Sequence, residues 1–391
     1  MDANMSEKTK EEVMFKLRSQ YRKAGPEYRK KLIDQSVALM GYHRKSAIRA
    51  LNAEAAVIQV EADRGGRPKK YDEVLLMPSL KRIWLSGQQP CGKRLVAMMP
   101  DWIVGFEGYH RSLSSAVKEQ LLEVSSSTLD RMLAPLRAQH QGATRPTKPG
   151  NMLRESIPIR GGSWQVDQAG WMEADTVGFG GGCSSGEVIW MLDSTDICTT
   201  WVEMRAMYGR GQHATVEQLA GIEKSLPFRW LGLDTDNGGE FINEHVLIWC
   251  QKDRINPIYY TRSRPYKSNN NAHIEQKNWT HVRHWFGYER HDNADVAALM
   301  NELAAGELRE FVNLFSPSMK LKSKEQTGAG KVWREYHAPL TPYARVLASA
   351  QVTEEKKAQL KKLKDSLNPF ALEAAIQKKL KAINKVRRAL E

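Results

Sequence analysis

The sequence predicts a mixed α/β core with helical regions on both sides of it. Between residues 165 and 300, runs such as WMEADTVGF, GEVIWMLD and TTWVEMRAM are rich in Val, Ile, Thr and Trp, which is typical of short strands. Helical stretches then alternate with further strands, as in a mixed sheet. Outside this region, apolar residues recur at i, i+3, i+4 and i+7, the spacing of amphipathic helices.

The chain is long and basic. It has 391 residues, of which 41% are apolar, enough for about two to four domains with real cores. Its net charge of +13 and sequence pI of about 9.4 favour nucleic acid as a partner. Residues 1–150 hold 26 Lys and Arg against 16 Asp and Glu, residues 151–290 hold 14 against 17, and residues 291–391 hold 18 against 12. An acidic centre between basic arms fits a metal-binding core between DNA-binding modules, although an ordinary solvated basic surface gives similar totals.

The sequence also bears on the compartment. The polar opening MDANMSEKTKEE is unlike a signal peptide, and no run approaches the roughly 20 apolar residues of a membrane span. The four cysteines show no C-x-x-C pair, so neither a zinc site nor a disulfide framework is indicated. We expect a cytoplasmic protein with no membrane partner, associated with the nucleoid when it binds DNA.

Residues 1–60 are predicted to form a helix-turn-helix domain. Ile33, Val37 and Met40 share one helix face, Gly41 makes a turn, and GYHRKSAIRALNAEA begins a basic helix. In helix-turn-helix proteins the second helix enters the major groove, although helical units without DNA function have similar sequences. The outward residues predicted to contact DNA are His43, Arg44, Lys45 and Arg49.

A basic linker and a second helical domain follow. Residues 61–70 contain RGGRPKK, in which Arg67, Lys69 and Lys70 fit an arm that contacts phosphate. Residues 71–140 end in SSSTLDRMLAPLR, with Arg131 off the apolar stripe. A second helix-turn-helix is our interpretation, and the alternative is a helix that simply packs in a core. Residues 141–164 are predicted to be a linker.

Three acidic residues in the predicted core 165–300 carry the chemistry. Asp175 lies in the middle of a strand, where a charge is costly without a metal or a partner, and Asp167 is its alternative. Asp236 ends a strand before the turn pair Asn237-Gly238, with Asp234 as its alternative; DTDNGG alone is also compatible with a plain turn. Glu275 begins a helix on which Asn278 follows at i+3. Asp and Glu are the oxygen ligands of Mg²⁺ or Mn²⁺, and such a triad is typical of a two-metal phosphoryl-transfer site.

The chain beyond residue 300 is predicted to form a small C-terminal subdomain at 301–350. An amphipathic helical tail follows at 351–391, with Leu372, Ile376, Leu380, Ile383 and Val386 on one face. Its outer Lys and Arg residues fit a solvated surface, a DNA contact or a partner-helix seam.

These residues resemble the integrase catalytic core of the DDE superfamily of transposases and integrases. The similarity lies in Asp175 in the first strand, Asp236-Asn237-Gly238 with Phe241, and Glu275 with Asn278. The layout around the core resembles that of bacterial insertion-sequence transposases. The resemblance implies an RNase H-like fold, a five-stranded mixed sheet with helices on both faces. It also implies two Mg²⁺ or Mn²⁺ ions on Asp175, Asp236 and Glu275, with Asn237 and Asn278 supporting them.

The function predicted is that of a DNA transposase. Such an enzyme binds terminal inverted repeats, cuts there and joins the ends to target DNA, acting as a dimer or larger homo-oligomer on double-stranded DNA. Trp279 and Val282 stand where some such enzymes carry Lys, so DNA contacts near the site are assigned to other residues: Arg262, Arg264, Lys267, Lys277 and Arg283. Two alternatives stay open: a DNA-binding regulator with an inert core, and a nuclease on the same fold.

Overall fold

The computed structural model describes residues 7–53, 70–139, 167–182, 186–236, 238–241, 243–252, 254–262, 278–326 and 332–390. The chain divides into two compact units, one within Met1–Lys70 and one within Tyr71–Glu391.

The first unit is a small helical bundle. It contains α1 (Glu7–Lys23), α2 (Pro26–Met40) and α3 (Arg44–Asn52). Gly41 ends α2 in the left-handed conformation with φ of 68°, which favours glycine. The helices bury a shared apolar core made of Met14, Leu17, Tyr21, Leu32, Ile33, Met40, Ala47 and Leu51. The alternation of inward and outward residues in α3 therefore agrees with the amphipathic pattern, while its role in DNA binding stays a prediction.

The second unit is built on a five-stranded mixed sheet. Its strands are β1 (Trp171–Gly178), β2 (Ile189–Asp196), β3 (Val202–Tyr208), β4 (Gly232–Thr235) and β5 (Tyr259–Arg262). They lie in the order β3-β2-β1-β4-β5. The β1–β2 and β2–β3 pairs are antiparallel, whereas β4 and β5 run parallel to β1. This confirms the predicted five-stranded mixed sheet, and the order and directions fit an RNase H-like fold.

A close approach inside the sheet explains one glycine. Gly232 opens β4 directly beside Trp171 of β1, and a Cβ atom at Gly232 would lie 2.2 Å from the indole ring. Only glycine leaves room for that ring between the two strands.

Helices and a hairpin surround the sheet. The helices are α4 (Glu73–Ser86), α5 (Gly92–Tyr109), α6 (Ser115–Glu123), α7 (Ser126–Gln139), α8 (Gln212–Ser225), α9 (Glu244–Gln251), α10 (His284–Phe286), α11 (Ala294–Ala305), α12 (Glu307–Glu310), α13 (Pro342–Ala348), α14 (Glu354–Asp365) and α15 (Pro369–Leu390). Two π-helical segments span Asn278–Arg283 and Phe311–Phe315. Strands β6 (Leu321–Gln326) and β7 (Val332–Tyr336) form a separate antiparallel hairpin.

One hydrophobic core joins these elements. Buried residues of α4–α7, of the sheet and of the C-terminal helices belong to the same apolar cluster. Trp102 of α5, for example, donates to the Phe315 carbonyl (3.2 Å) and packs edge-on against Phe370 of α15. The structure therefore does not separate residues 71–140 from the sheet, and the finer domain boundaries stay predictions.

Within the described ranges, none of the helices is long and apolar enough to cross a membrane.

Candidate functional site

The sheet register brings Asp175 and Asp236 together. Trp171 pairs with Gly232 and Ala174 pairs with Thr235 in the parallel β1–β4 ladder. The next position along each chain therefore sets Asp175 level with Asp236, on neighbouring strands about 5 Å apart. The chain leaves β1 toward β2 and β3 on one side, and β4 and β5 lie on the other. The pair therefore lies where the sheet changes from antiparallel to parallel pairing, with Asp236 directly after the carboxyl end of β4 and Asp175 within β1. In α/β sheets, ligands bind at such switch points near the carboxyl ends of the strands.

Two hydrogen bonds hold the Asp175 carboxylate. The Thr176 backbone N–H donates to Oδ1 (2.7 Å), and Asn278 Nδ2 donates to Oδ2 (2.6 Å). Asn278 opens the π-helical segment Asn278–Arg283, and such segments are frequent at functional sites. The structure thus places Asp175, Asp236 and Asn278 in one site, although their catalytic roles stay predictions.

The loop after β4 adds a carboxylate that the sequence reasoning missed. Glu240 is only 4% exposed. Its Oε1 accepts a hydrogen bond from Thr176 Oγ1 (2.5 Å), and its Oε2 lies 3.4 Å from the guanidinium of Arg210. A Cβ atom at Gly238 would meet the Glu240 carboxylate at 2.6 Å, so glycine at that position lets the loop fold against the site.

Further contacts fix the same loop. The Gly238 N–H donates to Asp236 Oδ1 (2.9 Å), and the Tyr260 hydroxyl of β5 donates to the Phe241 carbonyl (2.7 Å). Both contacts tie the loop to residues of the sheet, so Asp236 is positioned by backbone and core packing rather than by solvent-exposed side chains.

The electrostatics of the pair are unfavourable without a cation. Burial and the charge of Asp236 raise the pKa of Asp175 to about 7, while the hydrogen bond from Asn278 opposes that rise. Burial also raises the pKa of Asp236, and the Glu240 charge adds to it against the Gly238 N–H. Neighbouring carboxylates that are shifted upward in this way are typical of functional sites.

These residues fit a divalent metal ion. Carboxylate oxygens are the ligands that Mg²⁺ and Mn²⁺ prefer, and a cation would relieve the repulsion between Asp175 and Asp236. Asn278 Oδ1 is buried without a hydrogen-bond partner in the described part of the chain, so it is a further oxygen donor at the site. Within those residues, no group of three or more His, Cys, Asp or Glu side chains has metal-ligand spacing. The third predicted ligand, Glu275, lies outside the described residues, as does Asn237.

Another carboxylate on the sheet was missed. Asp193 of β2 pairs in register with Asp175 and is fully buried. Glu173 and Asp234 are registered neighbours on β1 and β4 and are also buried, and Thr261 donates to Asp234 Oδ1 (2.6 Å). The available signal for Asp193 was an acidic residue at the end of the strand-like run GEVIWMLD, whereas Asp234 was the predicted alternative to Asp236.

The residues predicted to contact DNA fall into three groups. The exposed group comprises His43, Arg44, Lys45 and Arg49, which lie on or beside α3, together with Lys70 before α4 and Arg131 on α7. His43 caps α3 by accepting from the Lys45 N–H (3.4 Å), and Arg44 forms an ion pair with Asp34. The predicted residues outside the described ranges are Arg67, Lys69, Arg264, Lys267 and Lys277.

The third group, Arg262 and Arg283, consists of arginines that are buried or half-buried in the fold. Arg262 is 4% exposed at the end of β5. Arg283 donates to the Gly178 carbonyl (2.8 Å) and lies over the rings of Phe179 and Tyr288. Arg262 is thus buried and Arg283 half-buried, and their contact with DNA stays a prediction.

The five-stranded mixed sheet fits an RNase H-like fold, and Asp175 and Asp236 form a candidate two-carboxylate metal site at β1 and β4. The chain is 33% identical over 351 residues to the uncharacterized protein y4rM of Sinorhizobium fredii (strain NBRC 101917 / NGR234). The matched region covers 88% of this chain and 97% of that protein. The chain therefore belongs to the same family as y4rM. No family model matches it.

Solved structures with partial similarity include retroviral integrases. The catalytic core of BIV integrase is 14% identical, covers 45% of this chain and 91% of that one, and gives a TM-score of 0.28. The HTLV-2 integrase core in complex with magnesium is 12% identical, covers 39% of this chain and 91% of that one, and gives a TM-score of 0.28. A chain of the simian T-cell lymphotropic virus intasome with a PP2A subunit is 12% identical, covers 61% of this chain and 87% of that one, and gives a TM-score of 0.30. The function of this chain has to be inferred from its own residues.

Proposed function

We propose that this protein is a divalent-metal-dependent polynucleotidyl transferase that acts on DNA, with the activity of a transposase. The observation that carries the proposal is that Asp175, within β1, and Asp236, directly after β4, follow the last registered pair of the parallel β1–β4 ladder and raise each other's cost of ionisation. Two half-buried carboxylates this close repel each other without a cation, and carboxylates that together hold metal ions are what metal-assisted phosphoryl transfer uses.

The chain's own residues suggest the division of labour. Asp175 and Asp236, together with Glu275, would hold Mg²⁺ or Mn²⁺, which would activate the attacking oxygen and stabilise the leaving 3′ oxygen. Asn278 would keep the Asp175 carboxylate oriented through its 2.6 Å hydrogen bond. Glu240, held by Thr176 and Arg210, would fix the loop that carries Asp236.

The remaining parts of the proposal concern DNA. The exposed basic face of α3 supports a helix-turn-helix role in binding terminal inverted repeats. The net charge of +13 supports DNA as the partner of the whole chain. Joining two ends to one target would require at least a dimer on DNA.

The proposal is tested by an end-joining assay. A labelled duplex that carries the DNA flanking the gene of this protein is incubated with a plasmid target and Mg²⁺ or Mn²⁺. The wild-type protein should transfer label into the plasmid, and Asp236→Asn should not. Asp365→Asn, an exposed carboxylate at the end of α14, is the matched control and should retain transfer.

Two other outcomes would replace the proposal. Cleavage without joining by the wild-type protein would indicate a nuclease. Binding of the duplex with neither reaction in either metal would indicate a DNA-binding protein with an inert core.

A further inference from the structure

Helix α15 carries a row of cations that faces solvent. Its inner face is buried through Leu372, Ile376 and Ile383. The outward row consists of Lys378, Lys381, Lys385 and Arg388, all exposed. The spacing i, i+3, i+7 and i+10 sets them along one side of the helix over about 15 Å, at 1.5 Å per residue.

The outward row differs from the other cations of the same helix. Lys379 forms ion pairs with Glu302 (2.7 Å) and Glu307 (2.8 Å), and Arg387 forms one with Glu289 (2.5 Å). Those cations therefore tie α15 to the body of the unit. The outward four form no ion pair or hydrogen bond within the described residues, and the stretch 378–388 contains no Asp or Glu.

The end of α15 that carries the row is linked to the strand that holds Asp175. Arg387 pairs with Glu289, which is two residues before His291. The His291 N–H donates to the Phe179 carbonyl (3.0 Å), directly after β1. Asp175 lies four residues before Phe179 on that strand. The C-terminal end of α15 is therefore connected, through Glu289 and His291, to the end of β1, the strand that carries Asp175.

We propose that the outward row of α15 binds the phosphate backbone of duplex DNA beside the candidate site. Duplex DNA carries one negative charge about every 1.7 Å of its axis when both strands are counted, so a row of four cations over about 15 Å matches a surface of high negative charge density. The negative end of the helix dipole, about half a charge, is small against the row's four positive charges. The proposal rests on DNA being the substrate of the candidate site, but it does not depend on catalysis.

The test is a salt titration of DNA binding in EDTA. The full-length protein binds a labelled duplex of about 30 base pairs that is unrelated to any specific site, and anisotropy is followed as salt rises. In Lys381→Gln/Lys385→Gln, the slope of log K against log salt should fall by about 2, since each phosphate-contacting Lys contributes about 1. Affinity at low salt should also fall.

The matched control is Lys361→Gln/Lys362→Gln on α14. Both lysines are exposed, and the double variant loses the same net charge. It should keep the wild-type slope. Equal losses in both double variants would mean that only net charge matters, and an unchanged slope in the α15 variant would place DNA elsewhere; either result overturns the proposal.

Two further arms separate this proposal from others. Polyglutamate should compete weakly with DNA; competition as strong as that of unlabelled duplex would indicate an acidic-protein surface and overturn the DNA assignment. If end joining fails but Lys381→Gln/Lys385→Gln still lowers the salt slope, the proposed enzyme activity is rejected and the proposed DNA surface on α15 is retained.

Discussion

Replacing Asp175 by Asn should stabilise the metal-free protein at neutral and higher pH. Burial and the neighbouring Asp236 raise the pKa of Asp175 from 3.8 to about 7. The folded state therefore holds the Asp175 proton more tightly than the unfolded state does, and stability is lost as pH rises from about 4 to about 7. Asn is uncharged throughout this pH range, so the variant does not lose this stability as the pH rises.

The size of the effect follows from the same shift. The difference between 3.8 and about 7 corresponds to roughly 4 kcal/mol of unfolding free energy. That figure is an upper limit, because the Asp175 side chain keeps partial contact with solvent. The introduced amide would also keep both hydrogen bonds of the carboxylate that it replaces. Its oxygen still accepts from the Thr176 N–H, and a rotated Asn278 side chain presents its unpartnered Oδ1 to the introduced NH₂ group.

Urea unfolding of the metal-free protein between pH 4 and pH 8 measures the effect. The unfolding free energy of Asp175→Asn should exceed that of the wild type by an amount that grows with pH and levels off above about pH 7. Asp365→Asn should follow the wild-type curve within about 0.5 kcal/mol, as is usual for a surface change. Parallel curves for Asp175→Asn and wild type, or a less stable variant at pH 8, would refute the electrostatic reasoning.

Three further predictions concern single side chains. Glu240→Gln removes a charge that raises the pKa of both site aspartates, so the pH midpoint of Mn²⁺ binding should move downward; an unchanged or higher midpoint would contradict this. Asn278→Ala removes the donor to the Asp175 carboxylate, and loss of such a supporting contact should weaken Mn²⁺ binding by roughly 10–100-fold; undiminished affinity by isothermal titration would argue against a positioning role. Asn313→Ala leaves the buried Val202 N–H and carbonyl without their amide partner, so urea unfolding should show a loss of about 2–4 kcal/mol, with no effect on metal affinity.

The sheet could be predicted from local sequence because strand and helix periods are local properties. The β1 and β4 runs show apolar and β-branched residues bounded by turn residues. Asp175 is a charge inside the β1 run, and Asp236 directly follows the β4 run before a turn pair, so both positions are recognisable from sequence. Their adjacency depends on the β1–β4 register, which a sequence alone does not specify.

Other features of the site depend on contacts between distant residues. Glu240 lies in the same GLDTDNGGEF stretch as Asp236, yet its burial comes from Thr176 and Arg210, which are far from it in sequence. Arg262 is a charged residue in a basic stretch of the sequence, yet it is buried at the end of β5. The β6–β7 hairpin was not predicted, since the Gly- and Lys-rich stretch around it has no clear alternation.

The central claim is that Asp175 and Asp236 form one divalent-metal site, and Mn²⁺ binding followed by electron paramagnetic resonance tests it most directly. Titration at pH 8 should show loss of the free Mn²⁺ signal with wild type and with the Asp365→Asn control. Asp175→Asn and Asp236→Asn should each leave the free signal largely intact. Equal Mn²⁺ binding by all four proteins would contradict the account.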